Sequence, residues 1–92
     1  MNTFSIVDLS NLKLETLPIT ELCDKIYPMK LYCNNNKLIE LPPLTNLYYL
    51  DCSYNKIKLI PSLNNIEYIN CANNKIINIA LSKNLIYLNC SR

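Results

Sequence analysis

The sequence predicts a repeat solenoid whose units stack through parallel β-strands. Four cysteines recur at a constant interval of 19 residues: Cys33, Cys52, Cys71 and Cys90. Apolar residues keep the same interval two positions before each of them: Leu31, Leu50, Ile69 and Leu88. A chain of 92 residues buries only roughly 60 to 65% of its unfolded surface, which leaves room for one domain, residues 1–92, and no large enclosed cleft.

Each unit continues past its cysteine with a second fixed feature. An asparagine follows three positions later in three of the units: Asn36, Asn55 and Asn74. One unit written out reads Leu47-x-x-Leu50-x-Cys52-x-x-Asn55-x-Ile57-x-x-Ile60-Pro61-x-Leu63. The predicted units cover about residues 4–27, 28–46, 47–65, 66–84 and an incomplete 85–92.

This unit resembles the leucine-rich repeat, whose core pattern is L-x-x-L-x-L-x-x-N/C-x-L, with Cys here in the third apolar slot. It is similar to the short repeats of bacterial effectors, in which the segment after the Asn ends in Leu-Pro. The resemblance implies a curved solenoid with a parallel sheet on its concave face, which binds the ligand. The 15 Asn, 12 Ile and 7 Tyr also resemble the composition of such proteins from giant viruses or amoebae.

Elementary geometry favours strands and short return segments. Apolar residues two apart, as at Leu50 and Cys52, fit a strand with one buried face, and strands about 4.8 Å apart would stack each such residue on its counterpart in the next unit. Pro42 and Pro61 fall in the return segment and cannot donate to a helical hydrogen-bond ladder. We therefore expect extended or 3₁₀ return segments on the convex side.

The first unit is longer than the others. Aligning Pro18 with Pro42 makes it 24 residues long and places Leu9 in the Cys slot and Leu12 in the Asn slot. The additional residues, with apolar side chains four apart before Pro28, predict one short helix near residues 20–26.

Composition excludes most catalytic chemistry. The chain has no His and no Gly, so neither an imidazole relay nor a glycine-rich phosphate loop can form, and we expect no enzyme activity and no cofactor. The cysteine ladder (Cys33, Cys52, Cys71 and Cys90) could suggest a metal or redox site. A small apolar side chain in a core slot explains the ladder better, because Leu9 fills the same slot, and we expect no metal.

Charge and hydropathy patterning point to a protein partner. A formal net charge of +2 does not favour nucleic acid, and no run of apolar residues is long enough to span a membrane, so we expect neither as a partner. The first residues carry no signal-peptide pattern, so the expected location is the cytoplasm, or the host cytoplasm for a viral protein.

The candidate partner-binding residues lie between the buried strand positions. Tyrosines recur in one outward row, at Tyr49, Tyr68 and Tyr87. The next row holds Tyr32 followed by acidic and amide side chains, Asp51, Asn70 and Asn89. Rigid amphipathic tyrosines are favoured in protein-binding surfaces. The alternative is cross-strand aromatic packing that only stabilises the sheet. The asparagine ladder (Asn36, Asn55 and Asn74) is expected to be structural.

The last unit stops just after its strand, before an Asn turn. An open edge at Leu85, Leu88 and Cys90 would invite pairing with another chain. Two explanations stay open: the chain is part of a longer repeat protein, or this end self-associates, for example in a homodimer.

Overall fold

The computed structural model describes residues 5–23 and 28–91. It contains a β-solenoid of about three turns, with a spacing of about 19 residues and very little helix. The predicted repeat solenoid with a parallel sheet is therefore confirmed. Residue 4, at the start of the first predicted unit, lies outside the described residues.

The main sheet has five parallel strands in the order β1-β2-β3-β5-β7. Their bounds are Ser5–Asp8 for β1, Met29–Tyr32 for β2, Leu47–Asp51 for β3, Tyr68–Asn70 for β5 and Tyr87–Asn89 for β7. Leu50 pairs with Ile69, and Ile69 with Leu88, as the interval of 19 requires. The register shifts only between Met29 and Lys30, where β2 meets β3.

The return segments are extended. Two short strands, β4 at Leu59–Ile60 and β6 at Asn78–Ile79, pair in parallel to form a second sheet. Pro61 follows β4 directly, where its missing N–H costs no ladder bond. Of the two conformations predicted for these segments, the extended one is therefore adopted in β4 and β6.

One short helix, α1, spans Ile19–Cys23. It begins one residue before the predicted range, because the N–H of Leu22 already bonds to the carbonyl of Pro18 at 3.1 Å. The predicted continuation through residues 24–26 lies outside the described residues. Leu22 is 2% exposed and anchors the helix to the core, while Cys23 faces solvent.

The core is one continuous column of apolar side chains. The inward residue of each middle strand is fully buried, as are the first apolar residues after the turns, for example Leu38 and Ile57. Each such Leu or Ile contributes roughly 1.5 to 3 kcal/mol relative to an exposed one. At the carboxyl-terminal end of the stack the inward residues are only partly buried: Ile76, Ile79, Leu85 and Leu88.

The turn after each strand needs a left-handed residue, and the chain has no glycine to supply it. Four equivalent turn positions have φ of 58 to 59°: Asn11, Asn35, Tyr54 and Asn73. Asparagine tolerates this region because its short polar side chain bonds locally, whereas an aromatic residue there costs roughly 1 to 2 kcal/mol. Tyr54 is thus the strained member of this series.

The asparagine ladder joins each coil to the one before it. Asn55 Oδ1 accepts the N–H of Leu38 at 2.9 Å, and its Nδ2 donates to the carbonyls of Cys33 and Cys52, both at 3.0 Å. Asn74 repeats this pattern one coil later, and Asn36 does so one coil earlier. Within residues 5–23 and 28–91, no buried side-chain nitrogen or oxygen is left without a hydrogen-bond partner.

We predict that Asn55→Ala destabilises the fold. The substitution leaves buried backbone groups without hydrogen-bond partners. The unpaired N–H of Leu38 alone should lower the free energy of unfolding by about 1 to 3 kcal/mol. The measurement is the urea concentration at the midpoint of unfolding. Asn64→Ala, which removes an exposed side-chain amide, is the control variant. Equal midpoints for the two variants would contradict a stabilising role for the ladder.

Candidate functional site

The outer face of the main sheet carries the residues that the sequence singled out. Its first row consists of in-register positions on successive strands: Ile6, Lys30, Tyr49, Tyr68 and Tyr87. Its second row lies two residues further along each strand: Asp8, Tyr32, Asp51, Asn70 and Asn89. The inward residue between the rows is buried in each middle strand, so both rows face away from the core.

Three tyrosines of the first row form a stack, here called the tyrosine stack: Tyr49, Tyr68 and Tyr87. The ring centroids of Tyr49 and Tyr68 are 4.1 Å apart with planes 1° from parallel. Those of Tyr68 and Tyr87 are 4.5 Å apart at 6°. Because parallel register separates equivalent Cα atoms by one strand spacing, about 4.8 Å, identical rotamers bring the rings face to face.

Lys30 covers the free face of the first ring in the stack. Its Nζ lies 4.3 Å from the Tyr49 ring centroid and 5.7 Å from that of Tyr32. An ammonium over an aromatic face is attracted by the ring quadrupole, which is worth roughly 0.5 to 1 kcal/mol at an exposed site. Tyr32 tilts against Tyr49 at 56°, with centroids 5.6 Å apart, and widens the aromatic surface.

The hydroxyl of Tyr49 stays protonated at neutral pH. Burial raises the pKa of Tyr49 above its usual range, and the neighbouring hydroxyls of Tyr68 and Tyr32 add to the rise. Tyr49 therefore presents a neutral phenol, which can both donate and accept hydrogen bonds at neutral pH.

In the second row, one side-chain oxygen of each carboxylate or amide already accepts a hydrogen bond within a local turn. Asp51 Oδ1 accepts the N–H of Ser53 at 3.1 Å and its hydroxyl at 2.7 Å. Asn70 and Asn89 accept the N–H two residues on in the same way. At Asp8 the equivalent bonds from Ser10 lower the pKa of the carboxyl. These turns were not predicted from the sequence, although Asp and Asn side chains are known to bond to the backbone two residues on.

The cysteine ladder is buried except at its last member. Cys33, Cys52 and Cys71 are at most 1% exposed, whereas Cys90 is exposed. Burial raises the pKa of Cys33 to about 12, with a smaller contribution from Asp51, and burial also raises that of Cys71 to about 11. The thiolate is the reactive form, so the buried members behave as small apolar side chains.

The most exposed aliphatic side chains of the described residues lie near the carboxyl-terminal end of the stack. Ile77 and Ile86 are each 81% exposed and Leu81 is 71% exposed. Leu85, which precedes β7, and Leu88, within β7, are partly buried and pack against the core. An open hollow at this end is lined by residues of the last two turns: Asn55, Asn73, Asn74, Lys75, Ile76 and Ile77. The edge at Leu85, Leu88 and Cys90 was predicted from the sequence, but these exposed side chains were not.

No group of three or more His, Cys, Asp or Glu side chains within residues 5–23 and 28–91 is arranged to hold a metal ion. In the same part of the chain, no helix is long and apolar enough to cross a membrane. Comparison with models of protein families, with curated proteins and with solved structures finds no match to this chain.

We predict that thiol reagents distinguish two classes of cysteine in the folded protein. Exposed Cys23 and Cys90 should react quickly with a maleimide, and buried Cys33, Cys52 and Cys71 only after unfolding, as followed by mass spectrometry. Because the pKa of Cys33 is raised from 9.0 to about 12 on folding, its protonated form stabilises the fold fully below pH 9.

That contribution is lost as the pH rises from 9 toward 12, so the melting temperature should fall over this range. Unfolded chain in urea is the control for labelling, because there all five thiols should react alike. Rapid labelling of Cys52 in the folded protein would contradict its buried placement.

Proposed function

We propose that this chain is a non-catalytic interaction module that binds a partner protein through the outer face of its main sheet. The observation that carries this proposal is the tyrosine stack, in which three rings are held in one orientation on a hydrogen-bonded sheet. A pre-ordered surface loses little side-chain entropy when a partner binds, and tyrosine combines apolar area with a polar hydroxyl.

Several features of the stack favour recognition over packing alone. The ring faces are occupied by one another and by Lys30, so a partner would contact ring edges and hydroxyls. Tyr87 is 46% exposed, and its outer ring face lies at the open end of the stack. Asp51, Asn70 and Asn89 flank the stack and supply the polar rim that protein interfaces typically have.

We also infer that the chain is a leucine-rich repeat protein. The strand, the left-handed turn residue and the asparagine bonded to the preceding coil support this inference, as does the 19-residue unit. In that family the concave face binds ligands, and it corresponds here to the outer face of the main sheet. The absence of His from the chain and the protonated buried thiols favour a non-enzymatic role.

A second candidate function is self-assembly through the carboxyl-terminal end of the stack. The exposed side chains of Ile77, Leu81 and Ile86, together with the unpaired edge of β7, favour it. Two copies meeting at this end would bury apolar surface and supply partners to the free backbone groups of β7.

We expect alanine substitution in the tyrosine stack to abolish partner binding. A partner captured on the immobilised chain is first identified and purified, and its affinity is then measured for Tyr68→Ala. Loss of an aromatic side chain at the centre of an interface typically weakens the binding free energy by about 2 kcal/mol or more. This corresponds to at least about a thirtyfold weaker affinity.

Tyr54→Ala is the matched control, because Tyr54 is 57% exposed but lies in a turn outside the stack. Circular dichroism verifies that both variants fold. Equal affinities for the two variants would refute recognition through the stack.

The self-assembly candidate has its own test. Light scattering over a wide concentration range should show a dimer or larger species that Ile86→Lys converts to monomer, because the charge cannot be buried at an apolar contact. Ile39→Lys is the control, since Ile39 is 64% exposed but lies in the second coil. A wild-type chain that stays monomeric throughout would exclude this function.

A further inference from the structure

The tyrosine stack holds phenol rings in van der Waals contact, which makes them neighbours for radical chemistry. Centroid separations of 4.1 and 4.5 Å between nearly parallel rings are close to the optimal contact of roughly 3.5 to 4.0 Å between carbon atoms. We propose that the Tyr68–Tyr87 pair is a site of oxidative cross-linking that joins the two rings as dityrosine. This inference does not rest on the proposed partner binding.

The reaction balances with hydrogen peroxide as oxidant and a haem peroxidase as catalyst. Each phenol gives up one electron and its hydroxyl proton, which leaves a neutral phenoxyl radical. The two radicals form one carbon–carbon bond between ring carbons next to the hydroxyl-bearing carbons. The hydrogen on each of these carbons then moves to oxygen and restores both hydroxyls, while peroxide takes up two electrons and two protons to become two water molecules.

Strand pairing makes the coupling intramolecular. Tyr68 and Tyr87 are direct partners in the register of β5 and β7, so the rings meet in every molecule without a diffusional encounter. Well-oriented intramolecular reactions have large effective concentrations, and a dilute solution should therefore yield cross-linked monomer rather than covalent dimer.

Charge and exposure select this pair over Tyr49–Tyr68. The Lys30 ammonium lies 4.3 Å from the Tyr49 ring and opposes the removal of an electron from it. The cation–ring contacts in the described part of the chain involve Tyr32 and Tyr49 and not Tyr68 or Tyr87. Tyr87 is also 46% exposed, which gives the oxidant direct access to its edge.

The cross-link would fasten the last coil. Leu85 and Leu88, beside Tyr87, are only partly buried, so this coil contributes less apolar burial than those in the middle. A covalent bond from β7 to β5 would restrict separation of the two strands and oppose fraying at this end.

The experiment treats the dilute 92-residue chain with hydrogen peroxide and a haem peroxidase. Monomer is isolated under denaturing conditions, its dityrosine fluorescence is measured, and the linked peptides are mapped by mass spectrometry. We expect a monomer lighter by two hydrogen atoms, with Tyr68 joined to Tyr87. Absence of dityrosine from the monomer, or its presence only in covalent dimers, would overturn the proposal.

Matched phenylalanine variants keep each ring and remove only the oxidisable hydroxyl. Tyr68→Phe should lower the monomer yield roughly tenfold or more, because no other pair couples as readily. Tyr87→Phe should move the link to Tyr49–Tyr68. Tyr54→Phe, outside the stack, should leave the yield unchanged. Links that include Tyr54 as often as Tyr87, or a yield unaffected by Tyr68→Phe, would also overturn the proposal.

Discussion

The hydrogen bonds of the asparagine ladder, Asn36, Asn55 and Asn74, are the constraint on which the rest of this structure depends. Each side-chain amide lies in a turn whose backbone groups would otherwise lack hydrogen-bond partners. It bonds to two coils at once. Asn55 is 8% exposed, so water cannot easily replace these bonds. The turn, the position of the following apolar residue and the spacing between coils therefore depend on one side chain per unit.

The same stacking that satisfies the backbone also orders the outer surface. A parallel sheet in constant register repeats every side-chain position at one strand spacing, so a recurring residue type becomes a row. Tyrosine in such a row stacks ring on ring, and asparagine or aspartate in the next row closes its own turn. Fold stability and the candidate binding surface are thus consequences of the same interval.

The sequence was informative where periodicity alone decides the structure. The 19-residue interval predicted the pairing of Leu50 with Ile69 and the common face of Tyr49 and Tyr68. It could not predict ring orientation or the position of Lys30 over Tyr49, because side-chain rotamers depend on neighbours from other coils. The start of α1 at Ile19 was missed because Pro18 already accepts the first helical hydrogen bond.

The direction of the asparagine bonds sets the mechanical behaviour of the molecule. Asn74 serves the coil before it, and no described residue supplies the equivalent bond to the last coil. Under tension along the stack, we therefore expect the described coil that contains β7 to separate before the coils that the ladder amides join. Each released coil of 19 residues adds about 65 Å of extended chain, so this small solenoid would lengthen in regular steps under load.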